Sequence, residues 1–253
     1  MSEVLNFETA NGPTTAYVAG AEHQNGKSVI VIQEWWGLND HIKDIANRYA
    51  SEGLTAIAPD LYRGKIAADP DEASKMMNAL DIEDGLDTIE NALDAASLAF
   101  DISHFGITGY CMGGTFALRA ACEIEGLSAA AAFYGDIPEE DVLRKLSVPT
   151  IFISGTRDGW ITPEKVAGLE EAAEKFELPI HSVKYDADHA FFNDTRPEVY
   201  DRKAAIDRAP ASRGRRSWPP SKASCRRCCA CSSARRPSRP ARRSAGCSAA
   251  ASP

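Results

Sequence analysis

The stretch Phe105-Gly-Ile-Thr-Gly109-Tyr-Cys111-Met-Gly113-Gly114 decides how the rest of the chain is read. A short β-rich run leads directly into a helical segment containing Phe116, Ala117, Leu118 and Ala121. The pattern Gly-x-Cys-x-Gly is a nucleophile elbow, with cysteine in the position that serine more often holds. Glycines are needed because the nucleophile sits on a sharp strand-to-helix turn. A side chain at Gly109 or Gly113 would collide there with neighbouring backbone. The helix N-terminus behind Cys111 offers free N–H groups and a partial positive charge, which favour a thiolate and can hold an oxyanion. The plain alternative is a small, buried apolar cysteine. Cys122, on the helix without a glycine frame, is read in that plain way.

Outward from the elbow, β-rich runs alternate with helical periodicity, the pattern of a mostly parallel sheet with helices on both faces. Strands are expected at 28–33, 54–58, 104–108, 129–133, 150–154 and 180–185. Between them, Ile42, Ile45, Ala46 and Tyr49 recur at helical spacing, as do Ile82, Leu86, Ile89 and Leu93, and Val166, Leu169, Ala173 and Phe176. Residues 3–9 and 14–19, on either side of Asn11-Gly12-Pro13, read as an opening hairpin. The stretch 196–207 reads as the start of a further helix. One domain over residues 1–207 is the economical organisation.

Chain order supplies partners for Cys111. Ile151-Phe-Ile-Ser-Gly155-Thr-Arg-Asp158 places an acid just past a strand, and Tyr185-Asp-Ala-Asp-His189 places a histidine past the last one. Strand-end loops are where such folds gather catalytic groups. Nucleophile, acid, base is the order of the α/β-hydrolase fold. Each residue has an ordinary alternative: Asp158 could cap the helix starting near Thr162-Pro163, and His189 could be an exposed loop residue. Asp186 and Asp188 are rival acids, but they lie too close to His189 to occupy a separate loop. A fourth station is Gln33-Glu34-Trp35-Trp36-Gly37, at the end of the first core strand. In this fold one oxyanion-hole N–H comes from that loop, here Trp35, and the other from the residue after the nucleophile, here Met112. Glu34 between a core strand and two tryptophans is costly to bury unless it has a task, the plain alternative being a solvent-facing residue at the strand end.

The chain has 253 residues, 44% hydrophobic and 25% charged, which excludes a collagen-like chain, a coiled coil and a disulfide miniprotein. Residues 1–207 hold all 36 acids and 16 of the 28 Lys and Arg, a net charge of −20. Such a body repels phosphate backbones and anionic lipid, so neither nucleic acid nor a membrane is expected as its partner. No secretion signal or spanning segment is recognisable, and a cytoplasmic location with reduced thiols follows. Asn193-Asp194-Thr195 fits a glycosylation sequon, read as coincidence in that setting. From Arg208 the composition changes to Arg, Ala, Ser, Pro and Cys, with 12 basic residues and no acid. Residues 208–253 are therefore expected to be a disordered basic tail. Its composition suits GC-rich DNA read out of frame, with a natural basic arm or a metal site in Cys225-Arg-Arg-Cys228-Cys229-Ala-Cys231 as alternatives.

Taken together, Gln33-Glu34-Trp35-Trp36-Gly37, Ala58-Pro59-Asp60-Leu61-Tyr62, Gly109-Tyr110-Cys111-Met112-Gly113-Gly114, Phe133-Tyr134-Gly135, Gly155-x-x-Asp158 and His189-Ala190-Phe191 resemble the dienelactone hydrolase (carboxymethylenebutenolidase) family across residues 3–207. The resemblance implies a Cys111–His189–Asp158 triad in which Glu34 holds the resting thiol and takes part in its activation. It implies Trp35 and Met112 as oxyanion donors and a small ester or lactone as substrate, with no cofactor or metal. Candidate substrate-binding residues in this chain are Tyr134, Trp36, Phe191, Asn193 and Arg63. Family members that act on dienelactone grip its carboxylate with arginines, one of them four residues after the catalytic histidine, where this chain has Asn193. Arg63, Lys75 and Arg196 are unmatched substitutes. The expected assembly is a monomer or small homo-oligomer. The rival readings are a class I amidotransferase or DJ-1-like cysteine enzyme, which shares the elbow but lacks the Asp158 station, and a catalytically damaged binding protein.

Overall fold

The computed structural model describes residues 2–23 and 26–206. Its centre is strand β5 (His104–Tyr110), the strand that delivers the elbow. Around it runs an eight-stranded sheet in the order β1-β2-β4-β3-β5-β6-β7-β8. The outer strands β1 (Ser2–Phe7) and β2 (Thr14–Ala19) form the expected antiparallel hairpin. β2 meets β4 (Thr55–Pro59) antiparallel, and all later pairings are parallel. The remaining strands are β3 (Lys27–Ile32), β6 (Leu127–Phe133), β7 (Thr150–Gly155) and β8 (Ile180–Tyr185). β5 runs two residues beyond its expected end because Gly109 and Tyr110 still pair with Ala132 and Phe133. Cys111 is thus the first residue off the sheet.

Side-chain alternation explains why helices cover both faces. On β3, Ile30 and Ile32 join a core with Ile89 and Leu93 of α3 (Ile82–Phe100) and Phe116 of α4 (Met112–Glu123). Val29 and Val31 face the other way, toward Ile42 and Ile45 of α1 (Asp40–Ser51). All four β3 residues are buried, each contributing roughly 2 kcal/mol through removal from water. A third cluster seats α6 (Pro163–Lys175) on Phe152 through Val166 and Leu169. Helix starts follow local chemistry: Asn39 accepts from the Ile42 N–H, and Asp69 caps α2 (Pro70–Ala79), whose first residue is proline. α5 is a short turn at Glu140–Leu143.

The last helix departs from expectation. Residues 196–200 form turns, and α7 spans only Arg202–Ile206. Pro197 disfavours helical backbone at Arg196, and the helix starts where the Asp201 carboxylate accepts from the Ala204 N–H at 3.0 Å. The expectations for residues 208–253 lie outside the described residues. No described helix is long and apolar enough to cross a membrane. The C-terminal ends of β3, β5, β6, β7 and β8 share one edge of the sheet, and the loops leaving it carry Glu34, Cys111, Tyr134, Asp158 and His189.

Candidate active site

Cys111 occupies the turn between β5 and α4 at φ 55° and ψ −118°, backbone that an L-residue adopts only under constraint, at about 1–3 kcal/mol. The constraint is the packing on either side. A Cβ on Gly109 would lie 1.9 Å from the Gly113 carbonyl oxygen, and one on Gly113 would lie 2.4 Å from that of Ile32. Only glycine lets α4 start this close to β3 and β5. The Cys111 N–H donates to the Phe133 carbonyl at 3.1 Å, fixing the thiol over the sheet edge.

The separate loops meet at that thiol. His189 Nε2 lies 3.2 Å from Cys111 Sγ, and its Nδ1 lies 2.7 Å from Asp158 Oδ2. An acceptor carboxylate at Nδ1 places the ring proton there and leaves Nε2 to accept from the thiol. Asp158 is itself pinned: its Oδ1 accepts the N–H groups of Trp160 and Ile161 at 2.8 and 2.9 Å. Burial pushes its carboxyl up. The bond and charge of His189, with the two N–H groups, outweigh that and hold it below the usual carboxylate range. The rival acids are engaged elsewhere, since Asp186 and Asp188 both pair with Arg157 at the surface. The His189 ring is fixed by an edge contact to Tyr134 and a tilted one to Trp160, with centroids 5.1 and 5.2 Å away.

Glu34 is 2% exposed. Burial raises its carboxyl to about 7, even though Asn193 Nδ2 donates to Oε2 at 2.6 Å and the charges of His189 and Arg196 favour ionisation. Cys111 also departs from expectation. Its helix N-terminus would favour a thiolate, but burial, and then the negative charge of Glu34, push the thiol well above its ordinary range. The N–H groups of Met112 and Trp35 act on the thiol in the opposite direction and offset only part of this. The resting site therefore holds a neutral thiol with His189 Nε2 beside it. Cys122 is buried on α4, away from this constellation, and burial lifts its thiol to about 12.

A cavity of about 320 Å³ opens onto these groups. Trp35, Trp36, Met77 and Trp160 form apolar walls, Ala190 adds a small surface, and Arg196 brings a cation. Trp36 therefore lines the cavity beside Cys111. Tyr134 and Phe191 are fully buried and support the site from behind, while Asn193 reaches it only through Glu34. Arg63 does not join them. Its guanidinium forks onto Asp84 at 2.5 and 2.9 Å and lines a different groove, beside Phe7 and Pro13. From α2 it is Met77, and not the exposed Lys75, that reaches the cavity. Met77 and Trp160 carried no sequence signal beyond lying near an expected helix and the expected acid. Asn193 is 2% exposed with its amide nitrogen committed to Glu34, which closes the sequon reading in this fold. Among the described residues, no group of three or more His, Cys, Asp or Glu is placed to hold a metal ion.

A family model described as the dienelactone hydrolase family matches residues 14–211. The protein usf of Aquifex pyrophilus is 34% identical over 227 residues, covering 82% of this chain and 94% of that protein. A protein of Aquifex aeolicus, provisionally named a carboxymethylenebutenolidase, is 31% identical over 220 residues with the same coverage. Among solved structures, one from Klebsiella pneumoniae, provisionally titled a dienelactone hydrolase, superposes with a TM-score of 0.72 at 26% identity, covering 81% of this chain and 93% of that one.

Proposed function

The chain belongs to the dienelactone hydrolase family, hydrolases acting on ester or lactone bonds, and from that premise we propose that it works through a covalent acyl-enzyme on Cys111. The observation that carries the reading is His189 Nε2 lying 3.2 Å from Cys111 Sγ while its Nδ1 lies 2.7 Å from Asp158 Oδ2. A substrate carbonyl entering the cavity takes the Trp35 and Met112 N–H groups for its oxygen. This draws negative charge toward donors already in place. His189 accepts the thiol proton, with Glu34 as a second, buried acceptor, and the sulfur attacks the carbonyl carbon. As the tetrahedral species collapses, His189 returns the proton to the departing oxygen and a thioester remains. Water then enters, His189 takes one of its protons, and the acid is released with the thiol restored. Asp158 keeps Nδ1 protonated throughout.

A sulfur nucleophile limits the substrate. A thiolate is expelled from the tetrahedral species more readily than an alkoxide, so the departing group must be a stabilised oxyanion such as an enolate or phenolate. Amides are poor substrates for the same reason. The tryptophan-lined walls favour compact, flat or apolar acyl groups. The test is hydrolysis of p-nitrophenyl acetate by the purified chain, with Cys111→Ala as the blank and mass spectrometry to find an acetyl group on Cys111. Activity in Cys111→Ala comparable to the unaltered chain would overturn the reading.

A further inference from the structure

The triplet Asn193-Asp194-Thr195 follows the histidine but has no place in the triad, and the burial of Asn193 removes its reading as a sequon. We propose that this triplet is the positioning element of the site: Thr195 sets which way the Asn193 amide faces, and Asp194 pins its loop to α1, so that a neutral N–H donor is held against Glu34. The inference rests on the reading above, in which Glu34 exchanges a proton with the thiol.

The first half follows from donor and acceptor bookkeeping. Asn193 Oδ1 accepts both the Thr195 N–H, at 3.1 Å, and the Thr195 hydroxyl, at 2.6 Å. Turning the amide over would put its NH2 against these two donors and its oxygen against the Glu34 carboxylate. Thr195 thus directs Nδ2 toward Glu34. The second half concerns the loop. Asp194 Oδ2 accepts from Arg48 Nη2 at 2.5 Å, and its Oδ1 lies 3.4 Å from Nδ1 of the buried His41. Arg48 is steadied by Asp44 one turn earlier. Both Arg48 and His41 belong to α1, the helix that the Trp35-Trp36 loop leads into. One helix therefore follows the oxyanion loop and grips the histidine loop.

The groups facing Glu34 are Cys111 from the elbow, His189 and Arg196 from the same loop as Asn193, and Tyr134 from the end of β6. Its bonded partner is an amide and carries no charge. Such a partner orients the carboxylate without locking it in an ion pair, and leaves it free to take up and release a proton near neutrality.

The experiment uses the full chain with Thr195→Val, which keeps shape but removes the hydroxyl donor, Thr195→Ser, which restores it, and Asp194→Asn. Infrared titration reads the protonated carboxyl of Glu34, identified by its absence in Glu34→Gln. Turnover of p-nitrophenyl acetate is measured alongside. Thr195→Val should raise the titration midpoint by about half a pH unit and lower kcat about fivefold at pH 7, with KM within about twofold. Thr195→Ser should restore both, and Asp194→Asn should shift the midpoint in the same direction as Thr195→Val. An unmoved midpoint in Thr195→Val, whatever its melting temperature, overturns the proposal. If the unaltered chain hydrolyses no ester, the proposed function fails while the titration still decides the positioning claim.

Discussion

Glu34→Gln should stabilise the fold, and only where the carboxyl would carry charge. In the unfolded chain this group ionises near 4.5, and in the fold near 7, because burial disfavours the carboxylate. Below about pH 4.5 it is neutral in both states and costs nothing. As pH rises from there toward 7 the unfolded chain gains a charge that the fold resists, and stability falls until the folded group also ionises. The accumulated cost above pH 7 is about 3 kcal/mol. Gln keeps an oxygen for Asn193 Nδ2, but its own NH2 needs an acceptor, which returns about 1 kcal/mol. A net gain of about 2 kcal/mol corresponds to roughly 4–8 °C in melting temperature for a chain of this size. Paired calorimetric scans from pH 4 to 8.5 provide the assay. The difference between variant and unaltered chain should open between pH 4.5 and 7 and then stay level, while acylation slows. A difference that is flat across the range, or a less stable variant at pH 8, would refute the reasoning.

Three further outcomes are expected. Asp158→Asn should lower kcat by about 10³-fold or more by presenting the wrong proton to His189 Nδ1; because the Asp158 carboxyl is held below its ordinary range, its stabilising effect is present at neutral pH and should vanish on acidification through that range, so a stability gap that persists in strong acid would contradict the assignment. Gly113→Ala puts a methyl 2.4 Å from the Ile32 carbonyl oxygen and 2.5 Å from that of Gln33, so strand end and helix must part by nearly 1 Å; thermal scans should show a loss of about 1–3 kcal/mol and kinetics about a 100-fold fall in kcat, and normal values for both would show that the oxyanion loop tolerates the shift. Arg196 is already paired with Glu198 at 2.8 Å and stacked on Trp36, so esters with and without a carboxylate should differ less than about tenfold in kcat/KM; a hundredfold preference abolished by Arg196→Ala would show a working anion clamp.

What could be read from the chain alone followed a division between local and distant causes. The elbow, the hairpin and the order Cys111, Asp158, His189 were legible because glycines, turn residues and strand ends are written locally. The choice of Asp158 over Asp186 and Asp188 was legible for a similar reason, since two acids beside His189 cannot approach its ring from another loop. Arg63 was misplaced because its charge is visible in sequence while its partner, Asp84, lies on another element. The neutral state of Cys111 was missed because a helix N-terminus is a local feature, whereas the burial and the Glu34 charge that outweigh it come from packing. The turn through 196–200 was signalled by Pro197 and Asp201, residues whose effect on the backbone is stronger than the apolar spacing around them. Asn193 stood out only as a missing arginine, and its bond to Glu34 depends on a loop that α1 holds in place.

The neutral, buried thiol also bears on how long such a protein lasts. Peroxides and alkylating agents react with thiolates, and far more slowly with thiols. A cysteine hydrolase that kept its nucleophile ionised at rest would lose active molecules steadily to any oxidant that reached the cavity. Cys111 is 7% exposed, and its burial and the Glu34 charge keep the thiol from ionising at rest. Under the proposed acyl-enzyme mechanism His189 takes the thiol proton only when a carbonyl is there to be attacked, so the time the sulfur spends vulnerable shrinks to the time it spends at work.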